Sequence, residues 1–412
     1  MGLVFSIGGL AFPIVALWNS RAVVPFVGVM AIFGIGIIIR RGQRKSLLAW
    51  DKWLLIGTLG FLVAVIVGAF HVADINEAFV STSKIFANAL VAAFLLIAAT
   101  YLTSKEIWAA ARCVAFSTCV VGGFLLIDIL TSGTLSLFFT NMTYTPKYKF
   151  FWFKSASTTF AICTLITAFY LALKKQYWQC ACLLAGAIFI QINIGNRTAA
   201  GGLILALACG FVYQVLGKYR QFILASAIVI LFLTPTYIHT LGFSGEKISQ
   251  LINVRTSATI SFVYRMHAWE FVIQRINERP LFGWGLDGSK EFGGETTQVI
   301  SDSVMGPLGE PVPLHPHNGV LEVWLELGAF GAFALLLLVL RGAKVFENQC
   351  ASALNRVCTF SILTLLTCFF AFSYSAFSSA WIANMIFALS MTYALARYRP
   401  PDNVSDLVSN GE

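Results

Sequence analysis

The stretch His315-Pro316-His317-Asn318-Gly319-Val320-Leu321-Glu322-Val323-Trp324-Leu325-Glu326-Leu327-Gly328-Ala329-Phe330-Gly331 closes a long polar segment. It also opens an apolar run, Ala329 to Leu340, that reads as the body of a membrane helix. A titratable imidazole, His317, is thereby held at the mouth of a span. Asn318, Glu322 and Glu326 follow at i, i+4 and i+8 on one helical face, and Glu326 falls roughly 12 Å along the axis from Asn318. Ionisable groups within a span are costly, which makes them functional candidates by default. The plainer alternative is that the glutamates tie helices together through hydrogen bonds. Glu322 could also orient a histidine or an arginine.

The rest of the chain has the same character. Its 412 residues are 58% hydrophobic and 11% charged, against about 25% charged in soluble domains. This composition indicates an all-α polytopic membrane protein. Windows of about 20 apolar residues give about twelve transmembrane helices: 2–18, 22–39, 53–71, 84–102, 112–131, 156–173, 178–194, 199–216, 222–239, 318–340, 357–375 and 378–396. Leu3 to Trp18 lacks a basic start and a small-residue cleavage site, so it is expected to be a retained first span. Residues 1–239 then hold spans one to nine, 240–317 form one large outer loop, 318–399 hold spans ten to twelve, and the polar tail 400–412 is expected to be disordered.

The net charge of +9 does not point to nucleic acid, because loops on the cytoplasmic side collect Lys and Arg. Arg40, Arg41, Arg44, Lys45, Lys174, Lys175, Arg341 and Lys344 all fall in segments on one side. Their bias predicts both termini inside and loop 240–317 outside. The nine cysteines include no C-x-x-C pair, so neither a disulfide framework nor a zinc site is indicated.

Within the loop, Phe262, Met266, Trp269, Ile273 and Ile276 line one helical face, predicting an amphipathic helix over 261–279 that Pro280 ends. Residues 283–311, rich in Gly, Pro and acids, read as irregular. Gly283-Trp284-Gly285-Leu286-Asp287-Gly288 matches G-x-G-x-x-G, but it neither follows a strand nor opens a helix, so it reads as a loop turn and not a nucleotide site. Arg265 on the amphipathic helix is either an interfacial arginine or a functional cation. Arg197, in the tight turn Asn196-Arg197-Thr198, either snorkels or acts on a ligand; it falls on the side where the charge bias disfavours it. Tyr144 to Lys154 interleaves Lys147, Lys149 and Lys154 with six aromatics, which suits an interfacial belt and also suits phosphorylated lipid headgroups. No metal is expected: the loop acids Asp287, Glu291, Glu295 and Asp302 include no D-x-D pair, and His315 and His317 at i, i+2 could face opposite ways.

These residues resemble a family. His317-Asn318 followed by Gly328-Ala329-Phe330-Gly331, with Arg265, Trp269, Pro280, Gly283 and Gly285 upstream, is similar to the histidine motif of bacterial O-antigen ligases. The resemblance covers about 70 residues, 264–331, with topology carrying the remainder. It implies a C-type glycosyltransferase architecture in the bacterial inner membrane, with a periplasmic active site. It implies a metal-independent, inverting transfer, without cofactor, from an undecaprenyl-pyrophosphate-linked O-antigen donor to a sugar hydroxyl of a lipid A-core acceptor. His317 would be the general base, and Arg265 and Arg197 would stabilise the pyrophosphate. His315 competes with His317 for the role of base. His315, Asn318, Glu322, Trp269, Lys147, Lys149 and Lys154 are candidates for substrate binding. The same motif is shared by O-antigen polymerases and protein O-oligosaccharyltransferases. A polytopic lipid or glycan transporter is the alternative from another class; it would show charges near the membrane midplane rather than at the outer rim.

Overall fold

In the computed structural model the described residues are 1–40, 52–72, 75–135, 138, 153–242, 244–252, 257–288, 292, 300–302, 306–309 and 315–399. Among them, ten helices are long and apolar enough to cross a membrane. In chain order the helices before the large loop begin with α1 (Gly2–Trp18), which is not one of the ten, followed by α2 (Val23–Arg40), α3 (Lys52–Ala69), α4 (Ile75–Thr100), α5 (Ser104–Leu130), α6 (Phe153–Leu173), α7 (Tyr177–Ile194) and α8 (Arg197–Val215). Helix α1 is shorter than the rest, at 17 residues. The stretch expected as a ninth span is divided at Leu233 into α9 (Arg220–Phe232) and α10 (Thr234–Thr240). Pro235 in the first turn of α10 lacks the N–H that a continuous helix would need there.

Helix α6 is the centre of the bundle, with 89% of its span buried. Its sequence explains why. Ser157, Thr158, Thr159, Thr164 and Thr167 are small, so neighbouring backbones approach closely, and the hydroxyls of Ser157, Thr158, Thr159 and Thr167 join hydrogen bonds to neighbouring helices. Thr159 donates to Asn384 at 2.6 Å, Thr167 to Thr118 at 3.1 Å, and the Gln191 amide reaches the Ser157 carbonyl at 2.6 Å. The outward faces keep large apolar side chains exposed, such as Ile32, Phe116, Trp178 and Phe211, as a lipid-facing surface requires.

The loop after α10 holds α11 (Gly245–Leu251), α12 (Ser257–Glu278) and a short antiparallel pair, β1 (Ile300–Asp302) with β2 (Gly306–Gly309). The pair lies inside the stretch that the sequence reads as irregular. Helix α12 is the expected amphipathic helix with one correction. Its buried face is Val263, Met266, Trp269, Val272, Ile273 and Ile276, packed on Leu321 and Leu325, whereas Phe262 remains 47% exposed. Val263 takes the place assigned to Phe262 because the buried stripe drifts along the helix.

Three helices complete the chain: α13 (Gly319–Gln349), α14 (Ala353–Phe372) and α15 (Ser379–Arg397). Helix α13 is broken at Gly328, which has φ 62 and ψ −163. A β-carbon there would lie 2.4 Å from the Leu281 carbonyl group, so only glycine fits. The loop Pro280–Gly285 passes alongside and takes up the backbone groups near the break. Ala329 N–H donates to Pro280 O (2.8 Å) and Phe330 N–H to Leu281 O (3.2 Å). Trp284 N–H donates to Leu325 O (2.8 Å) and Gly285 N–H to Glu326 O (2.9 Å). The G-x-G-x-x-G match is therefore a backbone clamp. A β-carbon on Gly283 or Gly285 would meet the Glu326 or Gly68 carbonyl at about the same forbidden distance, 2.6 and 2.5 Å.

Candidate active site

The end of α14 and the start of the turn that leads to α15, Phe372-Ser373-Tyr374-Ser375-Ala376, gather the candidates. Residue 317 contributes first. Its backbone has φ 53, an uncommon value for a non-glycine residue. Its Nδ1 meets the Ser373 carbonyl at 3.1 Å. A carbonyl only accepts, so Nδ1 carries the hydrogen and Nε2 is the basic nitrogen of the neutral ring. One residue earlier, the Phe372 carbonyl accepts from Arg265 Nη1 at 2.5 Å. The imidazole and the guanidinium thus sit on consecutive carbonyls of one turn. Burial pulls Arg265 below its ordinary pKa, yet an arginine stays charged at physiological pH.

Glu322 fastens the other half of that turn. Its carboxylate is 3% exposed and accepts from Ser375 Oγ at 2.7 Å and from the Ala376 N–H at 2.5 Å. It orients the histidine at second hand, through the turn. Glu326, one helical turn on, accepts from the Asp287 N–H at 3.1 Å and belongs to the clamp. Asn318 caps α13: its side-chain oxygen accepts from Val320 and Leu321 N–H at 3.0 and 3.1 Å. Trp269 donates its indole N–H to the Pro316 carbonyl at 2.9 Å, holding the residue between the two histidines.

His315 and His317 do not face opposite ways. Their ring centroids are 4.3 Å apart at 58°. Burial, with the neighbouring His317 ring and the Arg265 charge adding to it, pushes His315 from 6.5 down to about 4, the Ser373 backbone partly opposing. The Nε2 of His315 is buried without a hydrogen-bond partner among the described residues.

Arg197 is the first residue of α8, exposed, and behind it Asn196 caps the helix by accepting from Ala199 N–H at 3.2 Å. The Asn196 amide donates to Ser157 Oγ (2.9 Å) and Thr158 Oγ1 (3.0 Å), and Thr158 in turn accepts from Tyr374 OH at 2.7 Å. It is thus Asn196, the residue before Arg197, that is linked to the same turn by a hydrogen-bond relay. Lys147 and Lys149 lie outside the described residues, as does the Lys154 side chain.

The turn itself is absent from the sequence reading. It acts mostly through main-chain carbonyls and an N–H, which any residue supplies, so it leaves no residue signature. For a cation, the described residues offer one cluster, Glu246, His267 and Asp302, whose ligand atoms lie within 4.8 Å of one another. His267 Nε2 and Asp302 Oδ2 are already paired at 2.8 Å. None of the three touches the His317 turn in the contacts described above.

Residues 148–336 match the family model described as O-antigen ligase. A protein named "Putative polysaccharide ligase" from Rickettsia conorii is 28% identical over 207 residues, 49% of this chain and 48% of that protein. One of the same name from Rickettsia bellii is 26% identical over 240 residues, 56% of this chain and 54% of that protein. Another, from Rickettsia felis, is 31% identical over 146 residues, 35% of this chain and 34% of that protein. The alignments thus span about half of these relatives or less.

Proposed function

We propose that this chain, whose residues 148–336 match the family model described as O-antigen ligase, belongs to that family and transfers a glycan from undecaprenyl pyrophosphate to a sugar hydroxyl of lipid A-core. The reaction would run at the periplasmic face of a bacterial inner membrane, with both termini cytoplasmic. One observation carries this reading: a base and a cation, His317 and Arg265, are held by adjacent carbonyls of one turn.

In the proposed step, His317 Nε2 takes the proton of the acceptor hydroxyl. The oxygen attacks the anomeric carbon, the bond to the pyrophosphate oxygen breaks, and the electron pair leaves with the pyrophosphate. Direct attack inverts the anomeric configuration. Arg265 and Arg197 offset the charge that develops on the leaving group, a role for which the planar guanidinium fork is suited. His315, depressed to about 4, is too weak a base near neutral pH to compete well, which favours His317. Glu322 serves as a positioning residue. No metal enters this scheme.

The test uses purified protein in lipid nanodiscs with a lipid-linked glycan and two acceptors, lipid A-core and a second undecaprenyl-linked chain, with EDTA present. Transfer to lipid A-core, falling on the order of 10²–10⁴-fold in His317→Ala, is the expected result. Transfer to the undecaprenyl-linked chain alone would make the protein a polymerase.

A further inference from the structure

The end of α8 that carries Arg197 and the turn that carries His317 and Arg265 meet on one hydroxyl of α6. Asn196, the buried residue at the start of α8, reaches it from one side. A backbone N–H only donates, so the atom that faces Ala199 N–H is Oδ1, which caps α8. The amide nitrogen therefore faces α6, where it donates to Ser157 Oγ and Thr158 Oγ1. Gln191, at the other end of the tight α7–α8 turn, donates to the Ser157 carbonyl. The chain just before Arg197 is thus fastened to α6 from both ends of that turn.

Tyr374 reaches the same hydroxyl from the other side, donating its OH to Thr158 Oγ1 at 2.7 Å. A hydroxyl oxygen has two acceptor sites, so Thr158 can serve Asn196 and Tyr374 at once. Tyr374 stands between Ser373, which holds His317, and Ser375, which is held by Glu322. Its ring stacks on Trp381 at 4.8 Å and 10°, so the ring has a support that does not depend on the OH.

We propose that Asn196, Thr158 and Tyr374 are positioning residues, which fix the start of α8, and with it the reach of Arg197, relative to His317 and Arg265. The proposal rests on the glycan-transfer reading, in which Arg197 and Arg265 act on one leaving group. A guanidinium fork meets phosphate oxygens in a fixed orientation, so two arginines on separate helices need a set separation to share a pyrophosphate. Thr158, on the most buried helix of the bundle, supplies a common reference point for both. None of the three has to touch substrate in this role.

The experiment measures single-turnover and steady-state transfer by the full chain in nanodiscs, with thermal unfolding alongside. Tyr374→Phe removes only the phenol hydroxyl and keeps the stack on Trp381. Asn196→Ser keeps an oxygen that caps α8 but is too short to reach α6. Each should lower kcat about tenfold or more, within the roughly 10²-fold that a misplacement of about 1 Å costs. The double variant should lose no more than the worse single one, since both break the same relay. A general loss of stability would act whatever residue stands at 197, so the deciding comparison repeats Tyr374→Phe together with Arg197→Lys. There the fork that needs the placement is gone, and adding Tyr374→Phe should cost about twofold or less. Equal losses in the two backgrounds, or a rate for Tyr374→Phe within about twofold of the unaltered protein, overturn the positioning role and leave the transfer reading intact. Full activity in Arg197→Lys alone also overturns it, because the relay then has no fork to place. Failure of the unaltered protein to transfer glycan to either acceptor overturns the transfer reading and this one together.

Discussion

Removing the Glu322 carboxylate separates positioning from chemistry. The side chain is 3% exposed and holds Ser375 Oγ and the Ala376 N–H. Hydrogen bonds to a charged group contribute about 1.5–3 kcal/mol each, so Glu322→Ala forfeits about 3–6 kcal/mol. Relief of the carboxylate's desolvation returns part of this, leaving a net loss of about 2–4 kcal/mol. The larger consequence is for rate. The turn it anchors carries the carbonyls of Ser373 and Phe372, which hold His317 and Arg265. A shift of about 1 Å in such groups costs on the order of 10²-fold. In Glu322→Gln the amide oxygen can face the Ala376 N–H while its NH₂ donates to Ser375 Oγ. Both bonds then survive as neutral ones, at a cost of about 1 kcal/mol, and the rate should stay within about tenfold. The assay is transfer rate at varied donor and acceptor concentration, with thermal unfolding in nanodiscs alongside. Positioning predicts a fall in kcat with little change in KM for Glu322→Ala and recovery in Glu322→Gln. Equal damage in both variants, or a change confined to KM, refutes the argument and makes Glu322 a substrate contact.

Other outcomes can be checked separately. Because His315 is held near 4, below its ordinary 6.5, the folded state binds fewer protons than the unfolded chain between those values. Its contribution is complete above about pH 6.5 and is lost as pH falls towards 4, by up to about 3 kcal/mol and less for its exposed part; His315→Gln should flatten that part of the unfolding-versus-pH curve. Arg197→Lys and Arg265→Lys should each impair transfer, since an ammonium lacks the two-pronged fork. Their double-mutant cycle should be non-additive if both act on one pyrophosphate, whereas additive losses would place them on different groups. Gly328→Ala should lose about 1–3 kcal/mol from backbone strain alone, with the Leu281 clash adding to it; an unchanged unfolding temperature would contradict the break in α13.

The apolar windows carried most of the fold, because a bilayer rewards length and composition that can be read residue by residue. The tight turn at 195–198 and the amphipathic helix at 257–278 were legible for similar reasons. Pro235 marked the division between α9 and α10, but hydropathy averaged over a window hides a single residue. The break at Gly328 was hidden in the same way, between two apolar stretches. In the site, His317 and Arg265 were visible as costly residues near the membrane. Asn318 reads in the sequence as a substrate-binding candidate, and its role as the cap of α13 was not foreseen there. The turn 372–376 was illegible, because a carbonyl's usefulness depends on where the chain folds and not on which residue bears it.

The clamp at Gly328 bears on biogenesis. Helix α13 lies around its break against Pro280–Gly285, a strand of chain some forty residues upstream by the numbering. Unmet backbone groups are poorly tolerated away from water. The α13 segment therefore reaches its final shape only once that upstream chain has arrived, and His317, two residues before the helix begins, reaches its final place in the same event. Formation of the His317 turn is thus coupled to docking of the loop, so a defect in loop docking would leave the spans in place and that turn unformed.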